Sequence, residues 1–124
     1  MQELQILIAD DNACLRRAVA RYFRLAGHAV LEACTGREAV QLISNNEVDA
    51  ALLDIQMPEL NGVEAARCIR DLRASLPILA LTAWPEMIGT AHQHLFAEIL
   101  IKPISPPRLI EIISKYVVRP RTGA

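Results

Sequence analysis

Short apolar runs alternate five times with helical patterns along this chain, and this alternation restricts the fold more than any other feature. The apolar runs, which predict strands, are Gln5–Ala9, Ala29–Ala33, Ala50–Leu53, Ile78–Leu81 and Ile99–Ile101. Several are almost continuously apolar, as strands covered on both faces of a parallel sheet are. Five β–α units with right-handed crossovers therefore predict an α/β fold: a doubly wound five-stranded parallel sheet with five helices.

The first helix is predicted over residues 14–26 from its amphipathic pattern. One arc is apolar and is expected to face the sheet; it holds Leu15, Ala18, Val19, Tyr22, Phe23 and Ala26. The opposite arc is a stripe of four arginines: Arg16, Arg17, Arg21 and Arg24. Such a stripe is commonly a solvated helix face, and the alternative is a docking surface.

Three further helices are predicted, two of them from residues typical of helix starts. Thr35-Gly36-Arg37-Glu38 has the spacing of a capping box and begins a helix that runs to about Ser44. Another helix follows Gly62, and the last begins after Ser105 with Pro106 at its first position. The pattern is weakest over residues 86–97, where Gly89 and two histidines interrupt it. His92 and His94 are two positions apart and would point away from each other on a helix, which disfavours a metal site.

Length and composition favour one cytoplasmic domain. A chain of 124 residues, 52% hydrophobic and 22% charged, has the material for one core, and we expect a single domain over residues 1–124 with its core at 5–117 and a tail at 118–124. A formal net charge of −1 disfavours nucleic-acid binding by bulk charge. No apolar stretch reaches the ~20 residues of a membrane span. Cys14, Cys34 and Cys68 are expected to be buried, unpaired thiols.

Polar residues follow four of the five predicted strands. In an open parallel sheet, ligands bind beyond the carboxyl ends of the strands, so these side chains should meet at one edge. They are Asp10, Asp11, Asp54, Thr82 and Lys102. Three clustered carboxylates need compensating charge, which a divalent cation and Lys102 supply together. Hard oxygen ligands favour Mg²⁺ or Mn²⁺ over zinc, and a carboxylate such as Asp54 is a nucleophile toward phosphorus.

These residues occur in motifs that resemble the receiver domain of two-component response regulators. The motifs are Asp10-Asp11, Leu52-Leu53-Asp54-Ile55-Gln56-Met57-Pro58 with Gly62, Leu81-Thr82-Ala83 and Ile101-Lys102-Pro103. Each motif alone is weak, but all four in order, each at a predicted strand end, are specific. The resemblance covers about residues 5–117. It implies a flavodoxin-like sheet of strand order 2-1-3-4-5, the order given for the chemotaxis member of the family.

The resemblance also implies roles for individual residues. Asp54 would be the phosphoacceptor, taking a phosphoryl group from a phosphohistidine on a sensor histidine kinase or a histidine phosphotransfer protein. Asp11 would ligate Mg²⁺ directly and Asp10 mostly through water, with Asp54 and the backbone carbonyl of Gln56 completing the protein ligands. Thr82 would hydrogen-bond the phosphoryl group and Lys102 would pair with it. Pro103 would follow a cis peptide bond.

Three departures from the family pattern concern how the domain would signal to a partner more than how it would be phosphorylated. Ile99 occupies a position that is usually aromatic, and Leu95-Phe96 replaces a small Gly-Ala pair. The spacing from Thr82 to Lys102 is also short. We therefore expect a remodelled region around the fourth helix.

Two residues are expected to tune the lifetime of the phosphoryl group. Gln56 and Trp84, each two positions after a site residue, would flank the path of attacking water. The bulk of Trp84 either obstructs that water or merely covers the rim of the site.

The sequence thus predicts a phospho-accepting receiver domain, either a stand-alone regulator or a module of a hybrid sensor kinase. Such a domain catalyses only its own phosphorylation and dephosphorylation and is not a conventional enzyme. It would act on an unidentified downstream protein, without nucleic acid or membrane. The alternative is a degenerate receiver, a protein-interaction module independent of phosphorylation. A flavodoxin-like redox protein is disfavoured because acidic residues follow the first strand, where flavin phosphate needs a Ser/Thr/Gly-rich loop.

Overall fold

The computed structural model describes residues 3–117, which form a five-stranded parallel sheet with helices on both faces. The strands are β1 Gln5–Ala9, β2 Ala29–Ala33, β3 Ala50–Asp54, β4 Ile78–Thr82 and β5 Glu98–Ile101. The α-helices are α1 Ala13–Leu25, α2 Gly36–Asn45, α3 Gly62–Leu72 and α4 Pro106–Tyr116. The strand order is β2-β1-β3-β4-β5, and every pairing is parallel. The predicted fold class is confirmed, whereas the predicted tail at 118–124 lies outside the described residues.

Alternate residues of each central strand pack into two separate hydrophobic cores. Ile6 and Ile8 of β1 lie in the core beneath α1 and α4, together with Phe23 and Leu109. Leu7 lies in the other core, beneath α2 and α3. Because successive side chains of a strand point to opposite faces, an almost continuously apolar strand supplies both cores at once. This arrangement leaves the two ends of the sheet as the places where polar side chains gather.

The orientation of α1 differs from the predicted one. Ala20 and Phe23 are buried against the sheet, whereas Leu15, Tyr22 and Leu25 are exposed. Arg16, predicted to lie on the outer arc, faces β2 instead. The helix is rotated because Glu32, a charged residue within β2, requires cationic partners, and α1 supplies them.

Side chains cap the helices largely as the sequence predicts. Thr35 accepts a hydrogen bond from the Glu38 amide, and Pro106 begins α4 behind the capping residue Ser105. The Glu38 carboxylate accepts from the Cys34 amide, so the predicted reciprocal box is not formed at α2. A full capping box forms instead at α3, between Asn61 and Glu64.

The remodelled region lies between β4 and β5, where the fourth of the five helices is predicted. Two short 3-10 helices, Pro85–Met87 and Thr90–Leu95, connect β4 to β5. We call residues 85–95 the 3-10 segment. Its last buried residue, Leu95, packs with Phe96 in the core beneath α3. The expected fourth helix of the five is therefore not α-helical.

The predicted burial of the cysteines is wrong. Cys14 and Cys34 are exposed and Cys68 is half-buried, and all three are free thiols. Cys14 lies on α1, Cys34 in the connection between β2 and α2, and Cys68 on α3, and apolar character alone does not reveal how far each is exposed. A hydrogen bond to Glu38 raises the pKa of the exposed Cys34 thiol. No helix within residues 3–117 has the length and apolar character to cross a membrane.

Candidate functional site

The predicted site residues meet at the carboxyl edge of the sheet. Asp54 is the last residue of β3, and Thr82 is the last residue of β4, so each of these strands is one residue longer than predicted. Asp10 and Asp11 follow β1, and Lys102 follows β5. Carboxylate oxygens of the three aspartates all lie within 4.8 Å of one another.

Asp10 is held by four hydrogen bonds from three parts of the chain. Its amide donates to the carbonyl of Ala33 on β2 at 3.0 Å. Its two carboxylate oxygens accept from the Asn12 amide and from the Lys102 ammonium, each at 2.9 Å. Its carbonyl accepts from Arg16, also at 2.9 Å. Asp10 is consequently buried and fully engaged, whereas the neighbouring Asp11 is exposed.

Lys102 bridges two of the carboxylates. Its ammonium lies 2.9 Å from Asp10 and 3.4 Å from Asp54. Burial by itself disfavours the charged ammonium, but the hydrogen bond to Asp10 and the negative charges of both aspartates raise the pKa of Lys102. Lys102 is therefore cationic at neutral pH and partly neutralises the acidic cluster.

The environment of Asp54 favours its protonated form. Burial raises the pKa of Asp54 to about 6, with the charge of Asp10 acting in the same direction. Lys102 and the Gln56 amide, which donates to Asp54 Oδ1 at 3.2 Å, oppose this rise. Additional positive charge at this edge would favour the ionised carboxylate.

Gly62 allows the start of α3 to lie against the end of β3. A Cβ atom at this position would come 2.3 Å from the carbonyl oxygen of Asp54, much closer than van der Waals contact allows. The Gly62 amide donates to the carbonyl of Ile55 at 3.0 Å. The glycine of the recognised motif thus holds the loop after Asp54 in place.

Thr82 and the residues after it border the cluster. The buried Thr82 hydroxyl accepts a hydrogen bond from the Trp84 amide at 2.9 Å. The indole of Trp84 is 55% exposed, and Gln56 donates to the sulfur of Met87 at 3.4 Å. Both residues expected to flank attacking water therefore lie at the rim of the site. Ile99 is half-buried against the core beneath α3, opposite Ala80 in the sheet register.

The three aspartates fit a hard divalent cation. Their oxygens are close enough to share one ion, and no histidine or cysteine belongs to the cluster among residues 3–117. All-oxygen ligation of this kind is typical of Mg²⁺. The Lys102–Pro103 peptide bond beside the cluster is cis, as the resemblance implies.

Two ion pairs of α1 are not evident from its helical pattern. Arg16 and Arg24 both pair with Glu32, at 3.0 and 3.1 Å, so the four-arginine stripe is divided. Arg17 and Arg21 are exposed and take no part in these two pairs, whereas Arg24 is paired although its side chain is 49% exposed. The signal was Glu32 itself, a charged residue inside an otherwise apolar strand, because a half-buried carboxylate needs a cationic partner.

Comparison with protein families identifies the chain. The model of the response regulator receiver domain matches residues 6–114, and this chain belongs to that family. The response regulator MprA of Mycobacterium sp. (strain KMS) is 42% identical over 80 residues, which are 64% of this chain and 35% of the relative. The chain spans about a third of the length of the curated relatives that it matches.

Solved structures give the same fold. The response regulator TrrA from Thermotoga maritima, in complex with Mg²⁺-BeF, superimposes with a TM-score of 0.84 at 26% identity over 92% of this chain and 99% of that one. The receiver domain of the sensor histidine kinase PA1611 from Pseudomonas aeruginosa PAO1 has a magnesium ion coordinated in its active-site cleft. It superimposes with a TM-score of 0.83 at 27% identity, over 93% of this chain and 98% of that one. Receiver domains are signalling modules of two-component systems.

Proposed function

We propose that this chain, as a single receiver domain over residues 1–124, accepts a phosphoryl group on Asp54. The observation that carries the proposal is the position of Asp54 at the end of β3, beside both Lys102 and the acidic pair Asp10 and Asp11. The donor is a phosphohistidine of a sensor histidine kinase or a histidine phosphotransfer protein. The output is a conformational change read by a partner protein, or onward transfer of the phosphoryl group.

In the transfer step a carboxylate oxygen of Asp54 attacks phosphorus. The O–P bond forms as the N–P bond of the phosphohistidine breaks, and the imidazole nitrogen keeps the electron pair and is neutralised by a proton. The attacking carboxylate must be ionised, which its raised pKa of about 6 permits at neutral pH. Hydrolysis of the resulting acyl phosphate returns Asp54 and inorganic phosphate.

Residues around Asp54 compensate the charge that spreads over the phosphoryl oxygens. Lys102 is cationic and 3.4 Å from Asp54, so it needs only a small movement to pair with a phosphoryl oxygen. The Thr82 hydroxyl, one residue beyond the register partner of Asp54 on β4, donates a hydrogen bond to another. These two residues supply cationic and neutral donors from neighbouring strand ends.

Asp11, Asp54 and the backbone carbonyl of Gln56 are the residues that would hold Mg²⁺ or Mn²⁺ directly. Asp10 would contribute mostly through water, which agrees with the full engagement of its carboxylate by Asn12 and Lys102. When bound, the divalent cation neutralises negative charge on the acidic cluster and on the phosphoryl group.

The domain turns over no separate substrate, because its only reactions are the phosphorylation and dephosphorylation of its own Asp54. Three free cysteines support a reducing, cytoplasmic location. A net charge near zero gives no support to nucleic-acid binding by this domain.

The test is incubation with acetyl phosphate and Mg²⁺, followed by intact-mass measurement. We expect a mass gain of one phosphoryl group in the parent protein and none in Asp54→Asn. Asp71→Asn, an exposed aspartate of α3, serves as the matched control and should be labelled like the parent. Labelling that persists in Asp54→Asn would contradict the assignment of the phosphoacceptor.

The alternative is a degenerate receiver that binds its partner without phosphorylation. Ile99 and the 3-10 segment support it, because the structure that usually links the site to an output surface is changed. The same mass experiment separates the two functions, since a degenerate receiver would acquire no phosphoryl group from any donor.

A further inference from the structure

Arg16 connects α1, β2 and the acidic pair through two hydrogen bonds. Its Nε donates to Glu32 Oε1 at 3.0 Å, and its Nη1 donates to the backbone carbonyl of Asp10 at 2.9 Å. Its side chain is only 11% exposed, which is unusual for an arginine on a surface helix. Both ends of the planar guanidinium are therefore fixed, one by a carboxylate and one by the site loop.

The carbonyl that Arg16 contacts belongs to the peptide unit joining Asp10 to Asp11. A peptide unit is planar, so a hydrogen bond to its carbonyl oxygen also limits rotation of the amide and the Cα atom of Asp11. Asp11 is exposed, and within residues 3–117 its carboxylate accepts no hydrogen bonds like those that hold Asp10. The orientation of this peptide unit thus fixes the Cα atom of Asp11, the point from which its carboxylate side chain leaves the backbone.

Arg24 provides an internal comparison. It also pairs with Glu32, at 3.1 Å, and also donates to a backbone carbonyl, that of Val30, at 3.0 Å. That carbonyl lies within β2, away from the acidic cluster. The two arginines therefore make the same kinds of contact but differ in which segment they hold and in burial, their side chains being 11% and 49% exposed.

We propose that Arg16 is a positioning residue for the cation-binding acidic pair, holding the Asp10–Asp11 peptide unit so that the Asp11 carboxylate is preorganised beside Asp54. The proposal rests on the proposed function, since it concerns the same cation site. Glu32 takes part indirectly, because its carboxylate fixes the guanidinium at the opposite end. Partners that orient metal ligands in this way typically affect metal affinity by about 10–100-fold.

The test compares Arg16→Gln with the matched control Arg24→Gln. Mg²⁺ affinity is measured by isothermal titration calorimetry and by the fluorescence of Trp84, the only tryptophan of the chain. We expect Arg16→Gln to bind Mg²⁺ on the order of tenfold more weakly than the parent, and Arg24→Gln to bind it like the parent. Urea unfolding of both variants reports the cost of losing a Glu32 contact, which should be larger for the more buried Arg16 than for Arg24.

A second measurement uses the metal-free protein. The Asn12 amide donates to Asp10 Oδ1, so its hydrogen exchange, followed by NMR, reports the order of this loop. We expect faster exchange in Arg16→Gln and unchanged exchange in Arg24→Gln. If Arg16→Gln does not fold, Arg16→Lys replaces it, because lysine keeps the charge and the aliphatic stem but cannot hold both partners.

Equal Mg²⁺ affinities in the parent and Arg16→Gln would overturn the proposal. So would equal losses in the two variants, which would show that Glu32 acts through general packing of α1 on β2. A parent protein that binds no Mg²⁺ would instead refute the proposed function, and the positioning role with it.

Discussion

At Asp54, the reactivity of the ionised side chain and the stability of the folded protein oppose each other. Its carboxylate lies at the end of a buried strand, where desolvation disfavours negative charge. Lys102 offsets part of this cost but is shared with Asp10, to which it is closer. The ionised nucleophile is therefore kept in a destabilising position, as is common for reactive groups.

The first prediction concerns the stability of Asp54→Asn as a function of pH. The pKa of about 6 in the folded protein lies above the ~3.9 of an unfolded aspartate, so folding favours the protonated form. The contribution of Asp54 to stability is fully present below pH about 4 and is lost as pH rises through 6. In metal-free buffer at pH 7.5, Asp54→Asn should be more stable than the parent by on the order of 2 kcal/mol.

Urea unfolding at pH 7.5 and at pH 4.0 checks this prediction. The advantage of Asp54→Asn should shrink at pH 4.0, where the parent carboxyl group is protonated. Asp71→Asn, which replaces an exposed aspartate of α3, is measured in parallel at both pH values. A stability difference that is the same at both pH values would contradict a raised pKa of Asp54 in the folded protein.

Trp84 is expected to lengthen the life of the phosphoryl group. Its amide is tied to the Thr82 hydroxyl, which places the large indole at the rim of the site. Trp84→Ala would open a path for water, so loss of label from phosphorylated protein should become several-fold faster, as measured by intact mass over time. Leu25→Ala, which removes an exposed apolar side chain at the far end of α1, should leave the rate unchanged. An unchanged or slower loss of label in Trp84→Ala would show that the indole covers the rim of the site without obstructing water.

At the scale of elements, arginines of α3 hold the 3-10 segment that replaces the expected fourth α-helix. Arg70 donates to the carbonyls of Ala74, Leu76 and Leu95, each within 2.9 Å. Arg67 contacts His92 Nδ1 at 3.0 Å. A 3-10 helix forms few and poorly aligned internal hydrogen bonds, so side chains from a neighbouring helix stabilise this connection.

Arg70→Met should accordingly destabilise the protein by about 2 kcal/mol, because three carbonyls lose a charged donor. The measurement is urea unfolding, supplemented by hydrogen exchange of amides in the 3-10 segment, which should become faster. Arg108→Met removes an exposed ion pair with Glu111 and should change stability little. Equal effects of the two substitutions would show that Arg70 does not anchor the segment.

At the scale of the whole molecule, α1 presents an exposed face beside the site. Leu15, Tyr22 and Leu25 are exposed on it, together with Arg17 and Arg21. Of the predicted arginine stripe, Arg16 and Arg24 are occupied by Glu32. The docking surface hypothesised for the phosphodonor therefore consists of Arg17, Arg21 and the exposed apolar residues beside them.

Reversing both charges with Arg17→Glu and Arg21→Glu should slow transfer from any phosphohistidine protein that labels the parent, by about tenfold at low salt. Labelling by acetyl phosphate should remain normal, because the chemical site is intact. Arg37→Glu with Gln41→Glu, both exposed on α2 on the opposite face, is the control. Transfer that is unaffected by the α1 charges would identify the stripe as a solvated face.

Local pattern determined the strands, the class of fold and the residues that end the strands. Apolar period, capping residues and the order of the motifs are written in neighbouring residues, so Asp54, Thr82 and Lys102 could be placed at one edge without coordinates. Tertiary structure alone decided the rotation of α1, the exposure of the cysteines and the 3-10 form of a region that the sequence predicted only as remodelled. These features depend on contacts between residues far apart in the chain, such as Arg16 with Glu32 and Arg70 with Leu95. The period of a helix or strand does not encode which distant partner a charged side chain will contact.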